Sequence, residues 1–148
     1  MIDERNKIYV ERLAKEWDQH GKIILSIDFD STISFYETVH NEEDIKRAIN
    51  LIKDCQQVGC YNIIHTACNP DRYNNIIEYC NKVGIRIDSI NKTPENIPYG
   101  KPGSKVYYNH GLCDRHALPA CLDILEEAMV RQRSNKLKHS MNYEGSLG

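Results

Sequence analysis

No two of the six cysteines, Cys55, Cys60, Cys68, Cys80, Cys113 and Cys121, form a Cys-x-x-C pair, which excludes the ribbon and thioredoxin-like motifs that need that spacing. The histidines are scattered, so the sequence offers no Cys/His zinc cluster, and packed, reduced thiols are the expectation. No run approaches the roughly 20 apolar residues of a membrane span. The opening Met1-Ile2-Asp3-Glu4-Arg5-Asn6 lacks the apolar core of a secretion signal, and a cytoplasmic location without membrane contact is expected. Charge of one sign is also missing. The formal net charge is -2, which gives no broad field for nucleic acid and leaves such contact to a local basic face. Internal repeats and low-complexity segments are absent too. What is present is an ordinary soluble composition, 41% hydrophobic and 27% charged over 148 residues. That length suits one domain with a core that needs no disulfide.

The hydrophobic pattern alternates between two periods. Ile8, Val10, Leu13, Ala14 and Trp17 line one stripe of a helix over about 6–20, ended by Gly21. The near-continuous aliphatic run Lys22-Ile23-Ile24-Leu25-Ser26-Ile27 then predicts a strand buried on both faces. Asn41 is a candidate cap for a helix from Glu42 through Ile45, Ala48, Ile49 and Ile52, with Gly59 as its stop. Tyr61 to His65 predicts a second strand, and Pro70 to Gly84 a helix, followed by a short strand Ile85-Arg86-Ile87. Residues 91–104 read as a loop, Val106-Tyr107-Tyr108 with Leu112 as a further strand, and Pro119 to Met129 as a last helix. The polar stretch from about 131 to 148 is expected to fray. Alternation of this kind predicts a single α/β domain over 1–148, with its core over about 22–130. Its form would be a Rossmann-like, doubly wound parallel sheet with helices on both faces and the ligand site at the carboxyl ends of the strands.

Polar residues fall at those ends. Asp28 and Asp30 follow the first strand, Thr66 the second and Asp114 a later one. Carboxylates at i and i+2 just past a strand are poorly placed for a core and well placed to hold a hard divalent cation, magnesium first among them. One of the two could attack phosphorus while the other moves the leaving group's proton. The plainer alternative makes Asp28 a strand-end turn residue and Asp30 a helix cap.

Asp28-Phe29-Asp30-Ser31-Thr32 resembles the first motif of the haloacid dehalogenase superfamily, Asp-x-Asp-x-Thr, with Ser where Gly is commonest. Ile63-Ile64-His65-Thr66-Ala67 is similar to its second motif. Lys105-Val106-Tyr107-Tyr108 through Leu112-Cys113-Asp114-Arg115 is similar to the third and fourth motifs of small phage and bacterial members. The resemblance spans roughly residues 22–125. It implies a magnesium-dependent phosphatase with Asp28 as nucleophile and Asp30 as general acid and base. Asp28, Asp30 and Asp114 would be the metal ligands. Thr66, with Ala67, would contact the phosphate, and a lysine would offset its charge. Lys105 follows from ungapped matching, while Lys101, in a Gly/Pro-rich loop, is the alternative.

Two departures stand out. Cys113 occupies the place of the first of two adjacent acids, and thiols are poor magnesium ligands. Either Asp114 takes over or metal binding weakens; Asp114 could instead pair with Arg115 or cap the last helix. Cys68 replaces an arginine common in related chains, a loss that Arg72 could make good. The intervals from Thr32 to Thr66 and from Thr66 to Lys101 are each consumed by one helix with its strand and loops, so no cap domain is expected. An open site suits a phosphate carried on something large, such as a nucleic-acid end or a phosphoprotein, or a small ester if an oligomer partner supplies the lid. Tyr36 and His40 are candidate substrate contacts, with packing or exposure the commoner fate. Arg131, Arg133, Lys136, Lys138 and His139 are candidate phosphate contacts or simply a solvated terminus.

Overall fold

The computed structural model describes residues 2–35, 41–95 and 106–147, with the backbone alone over 142–147. A short turn of 3-10 helix leads into α1 (Lys7–His20), followed by β1 (Ile23–Asp28), α2 (Glu42–Val58), β2 (Cys60–His65), α3 (Tyr73–Val83), β3 (Ser89–Ile90), β4 (His110–Leu112) and α4 (Leu118–Leu147). The four strands form one parallel sheet in the order β3-β2-β1-β4. Strands and helices alternate as far as β3, β4 follows β3 with no helix between them among the described residues, and the architecture is α/β.

β1 is the centre of the sheet. Five consecutive residues, Ile23 to Ile27, are buried, so both faces of its pleat are covered. Each buried aliphatic side chain there contributes roughly 1.5–3 kcal/mol. Val10, Leu13 and Trp17 of α1, Ala48, Ile52 and Cys55 of α2, and Leu122, Leu125 and Ala128 of α4 complete the same core. On one side β1 pairs with β2 in the register Asp28↔His65; on the other it pairs with β4, Ile27↔Leu112. Three sequence-distant segments therefore end on one edge.

Three boundaries differ from the sequence pattern, each for a physical reason. Ile85-Arg86-Ile87 is not a strand, because Ile85 closes α3 instead. Gly84 takes a left-handed φ of 90° and the Ile85 N–H bonds back to the Cys80 carbonyl at 2.8 Å. Ile85 is buried beside that cap, the hydrophobic contact that accompanies a Schellman turn. β3 begins only at Ser89. Val106 to Tyr108 likewise lie outside the sheet, and Tyr108 is exposed. Pairing on that side starts at Asn109, whose N–H donates to the Ile24 carbonyl at 2.9 Å while its side-chain oxygen accepts from the Ile24 N–H at 2.7 Å. The third difference is the tail. α4 continues to Leu147, with Gln132 buried and the Lys136 ammonium on the Val58 carbonyl. Among the described residues no helix is long and apolar enough to cross a membrane.

Candidate active site

The first element of the site is the turn that follows β1. The Phe29 carbonyl accepts from the N–H groups of Thr32, Ile33 and Ser34, at 3.3, 3.2 and 3.2 Å. Ser31 is forced to a left-handed φ of 65°, and its N–H bonds to the Ser34 carbonyl at 2.9 Å. This is the position where a glycine would be free of strain. Ser31→Gly is therefore expected to stabilise the fold by about 1 kcal/mol, read as a higher urea midpoint at unchanged slope. Asn41 fastens the turn from outside. Its side-chain amide donates to the Ser31 carbonyl at 2.8 Å and makes no capping bond to α2, so the predicted cap is a tether for the site loop.

The turn carries Thr32 back under Asp28. Thr32 is fully buried, and its hydroxyl oxygen accepts from the Asp114 N–H at 2.9 Å. The hydroxyl oxygen lies 3.4 Å from Asp28 Oδ2 and 3.3 Å from Asp114 Oδ1, and its one proton is donated to one carboxylate at a time. Thr32 thereby joins the ends of β1 and β4. Cys113 begins a tight turn, its carbonyl accepting from the His116 N–H at 3.0 Å. One ligand atom from each of Asp28, Cys113 and Asp114 lies within 4.8 Å of the other two.

Two acids that close repel when both are ionised. Partial burial, a hydrogen bond to Asp114 and the charges of Asp114 and Asp30 push the Asp28 carboxyl up to about 6, against a smaller opposing contribution from the Thr32 hydroxyl. Burial raises the Cys113 thiol as well.

Asp30 stands outside this cluster, with its carboxylate 3.9 Å from the Arg72 guanidinium. Arg72 ends the 3-10 turn Pro70–Arg72, one turn beyond the cysteine that replaces the expected arginine. Thr66 lies on the same sheet edge, directly after the His65 that pairs with Asp28. Its hydroxyl accepts from the Cys68 N–H at 3.3 Å, and Ala67 between them is exposed. Asn91 holds that loop by both ends of its amide. It accepts from the Thr66 N–H and donates to the Thr66 carbonyl, each at 2.8 Å, and also bonds the Tyr73 hydroxyl at 3.0 Å. Lys101, Lys105, Tyr36 and His40 lie outside the described residues.

The structure thus brings together Asp28 and Asp114, with Asp30 and Thr66 on the same edge. Sequence reasoning assigned no role to Thr32 or Asn91. Thr32 had a signal, being the last residue of the Asp-x-Asp-x-Thr run. Asn91 has a left-handed φ of 57°, which Asn tolerates better than most residues, but nothing in its neighbourhood marks it. Comparison with protein-family models, with curated proteins and with solved structures gives no match.

Proposed function

We propose that this chain is a divalent-metal-dependent phosphohydrolase of the haloacid dehalogenase type, working through an aspartyl-phosphate at Asp28. The observation that carries the reading is the junction of Asp28 and Asp114 at the ends of two adjacent parallel strands, both bonded to the buried Thr32 hydroxyl. Burial and the adjoining Asp114 hold the Asp28 carboxyl up to about 6, a paired-acid site that a divalent cation would relieve, so the residues fit such an ion. Asp28 and Asp114 would hold it, and when bound it would offset negative charge on the phosphate.

The chain's own residues account for the remaining chemistry. An Asp28 carboxylate oxygen forms the new bond to phosphorus as the ester P–O bond breaks, and Asp30 gives its proton to the departing oxygen. Water then attacks phosphorus, Asp30 takes its proton, and Asp28 leaves with inorganic phosphate freed. Arg72, beside Asp30, is the cation nearest the proton-transfer group among the described ion pairs and replaces the arginine missing at Cys68. Thr66 donates to a phosphate oxygen, and either Lys101 or Lys105 offsets charge there. A doubly wound sheet without a cap would leave the site open to a phosphate on a nucleic-acid end or a phosphoprotein.

Cys113 favours one second reading, a phosphate- or nucleotide-binding module that has lost turnover. The two separate on hydrolysis of p-nitrophenyl phosphate with added divalent metal and with chelator. Metal-dependent turnover supports the phosphohydrolase. No turnover on this ester, phosphorylated DNA ends, nucleotides or phosphopeptides, with binding retained, supports the module.

A further inference from the structure

We infer that Cys113 is a metal ligand, and that the Asp28–Cys113–Asp114 site takes a borderline-soft divalent cation, zinc or cobalt(II), in preference to magnesium. The inference rests on the metal-dependent reading of this site, though not on its turnover.

Position and chemistry argue for it together. The chain turns at Cys113, its carbonyl taking the His116 N–H at 3.0 Å, so Cys113 and Asp114 are not held in the alternating arrangement of an extended strand. Consequently the Sγ atom and an oxygen from each acid fall within 4.8 Å of one another. Around a four-coordinate ion with a metal–sulfur bond of about 2.3 Å and metal–oxygen bonds of about 2.0–2.2 Å, neighbouring ligand atoms sit about 3.4–3.6 Å apart. The three residues are each partly exposed, so rotation of their side chains would close the remaining distance. Among the described residues no other group of three or more His, Cys, Asp or Glu side chains meets this spacing.

The donor set decides the ion. Magnesium demands near-octahedral oxygen coordination, whereas zinc and cobalt(II) accept thiolate with carboxylate and a fourth position open to water. The exchange balances simply, because the thiol gives its proton to solvent as sulfur bonds the ion. The other cysteines do not compete in this cluster. Cys55, Cys60 and Cys80 are buried in the core, Cys121 bonds weakly to the His116 carbonyl, and the half-buried Cys68 lies outside the cluster.

The test is titration of the purified, metal-free full chain with cobalt(II), followed by near-ultraviolet absorption and by calorimetry. One equivalent should produce a thiolate-to-cobalt charge-transfer band that zinc abolishes and that magnesium in roughly hundredfold excess leaves in place. Cys113→Ser should lose the band and weaken cobalt binding at least about tenfold, with its circular dichroism unchanged. Cys113→Asp should lose the band and bind magnesium at least about tenfold more tightly than the wild type. The inference is overturned by cobalt binding without the band, by an equal band in Cys113→Ser, by magnesium displacing cobalt at comparable concentration, or by no cobalt binding. Absorption is read without substrate. A band with no hydrolysis would therefore remove the phosphohydrolase and keep the ligand, and magnesium-driven hydrolysis with no band would do the reverse.

Discussion

Asp28→Asn is expected to reduce metal-dependent turnover of p-nitrophenyl phosphate by at least about 10³-fold while making the metal-free protein more stable at neutral pH. The two effects have one cause. In the wild type a carboxyl with an ordinary value of 3.8 is held up to about 6, mainly by partial burial and by Asp114. An acid whose folded-state value is raised binds its proton more tightly in the folded chain. Its stabilisation is complete below about 3.8 and is lost as pH rises through about 6. Metal-free wild type should therefore lose stability between those values, and Asp28→Asn should show a flatter profile there. Discounting for partial exposure, the variant should gain about 1–2 kcal/mol at pH 7.5. Thermal melts in chelator across pH 4 to 8 check this prediction. A variant less stable than wild type at pH 7.5 would remove the repulsion, and one that hydrolyses at the wild-type rate would remove the nucleophile. Added divalent cation should narrow the gap by stabilising the wild type alone.

Thr32→Val should be the next most damaging change, although Thr32 has no part in bond making. Valine matches the volume of threonine and removes a hydroxyl that accepts the Asp114 N–H at 2.9 Å and serves both carboxylates. The Asp114 N–H then loses its partner in a half-buried position, at a cost of about 1–3 kcal/mol. More important, the acids lose the group that sets their separation. A displacement of about 1 Å costs roughly 10²-fold in rate, so kcat/KM should fall by about 10- to 100-fold. Thr32→Ser keeps the hydroxyl and should restore most of the activity. Failure of serine to do so would place the effect in packing of the lost methyl group. Steady-state kinetics of the three proteins, with urea titrations, separate these outcomes.

Much of the fold was legible in the sequence because its buried parts carry strong periodic signals. The β1 run from Ile23 to Ile27 falls where the pattern puts it, and so do Val10, Leu13 and Trp17 of the α1 stripe, whereas Ile8, read onto the same stripe, is exposed. Misreadings arose where one residue type serves two purposes. Ile85 has the β-branched side chain of a strand former, yet capping α3 buries it more fully than an edge strand would. Asn41 precedes an acidic first turn as a cap should, but the Ser31 carbonyl claims its side chain. On the site, Asp28 and Asp114 were legible as strand-end acids. Their bond through Thr32 was not, because it joins residues 82 positions apart, and no local pattern records such a pairing. The left-handed Ser31 was foreshadowed by a serine standing where glycine is commonest.

That same long-range bond has a kinetic consequence. β1 can pair with β2 through one intervening helix, but β4 must close a far longer loop before it reaches the other edge of β1. The Asp114 amide meets Thr32 only at that closure, so the paired acids are expected to be among the last contacts to form during folding. β4 contributes three residues to the sheet and so makes a small cooperative unit. Its transient release would dissolve the acid pair while β1, β2 and their helices stay folded, a sub-global opening that hydrogen exchange at Asn109 and Asp114 would register before the core.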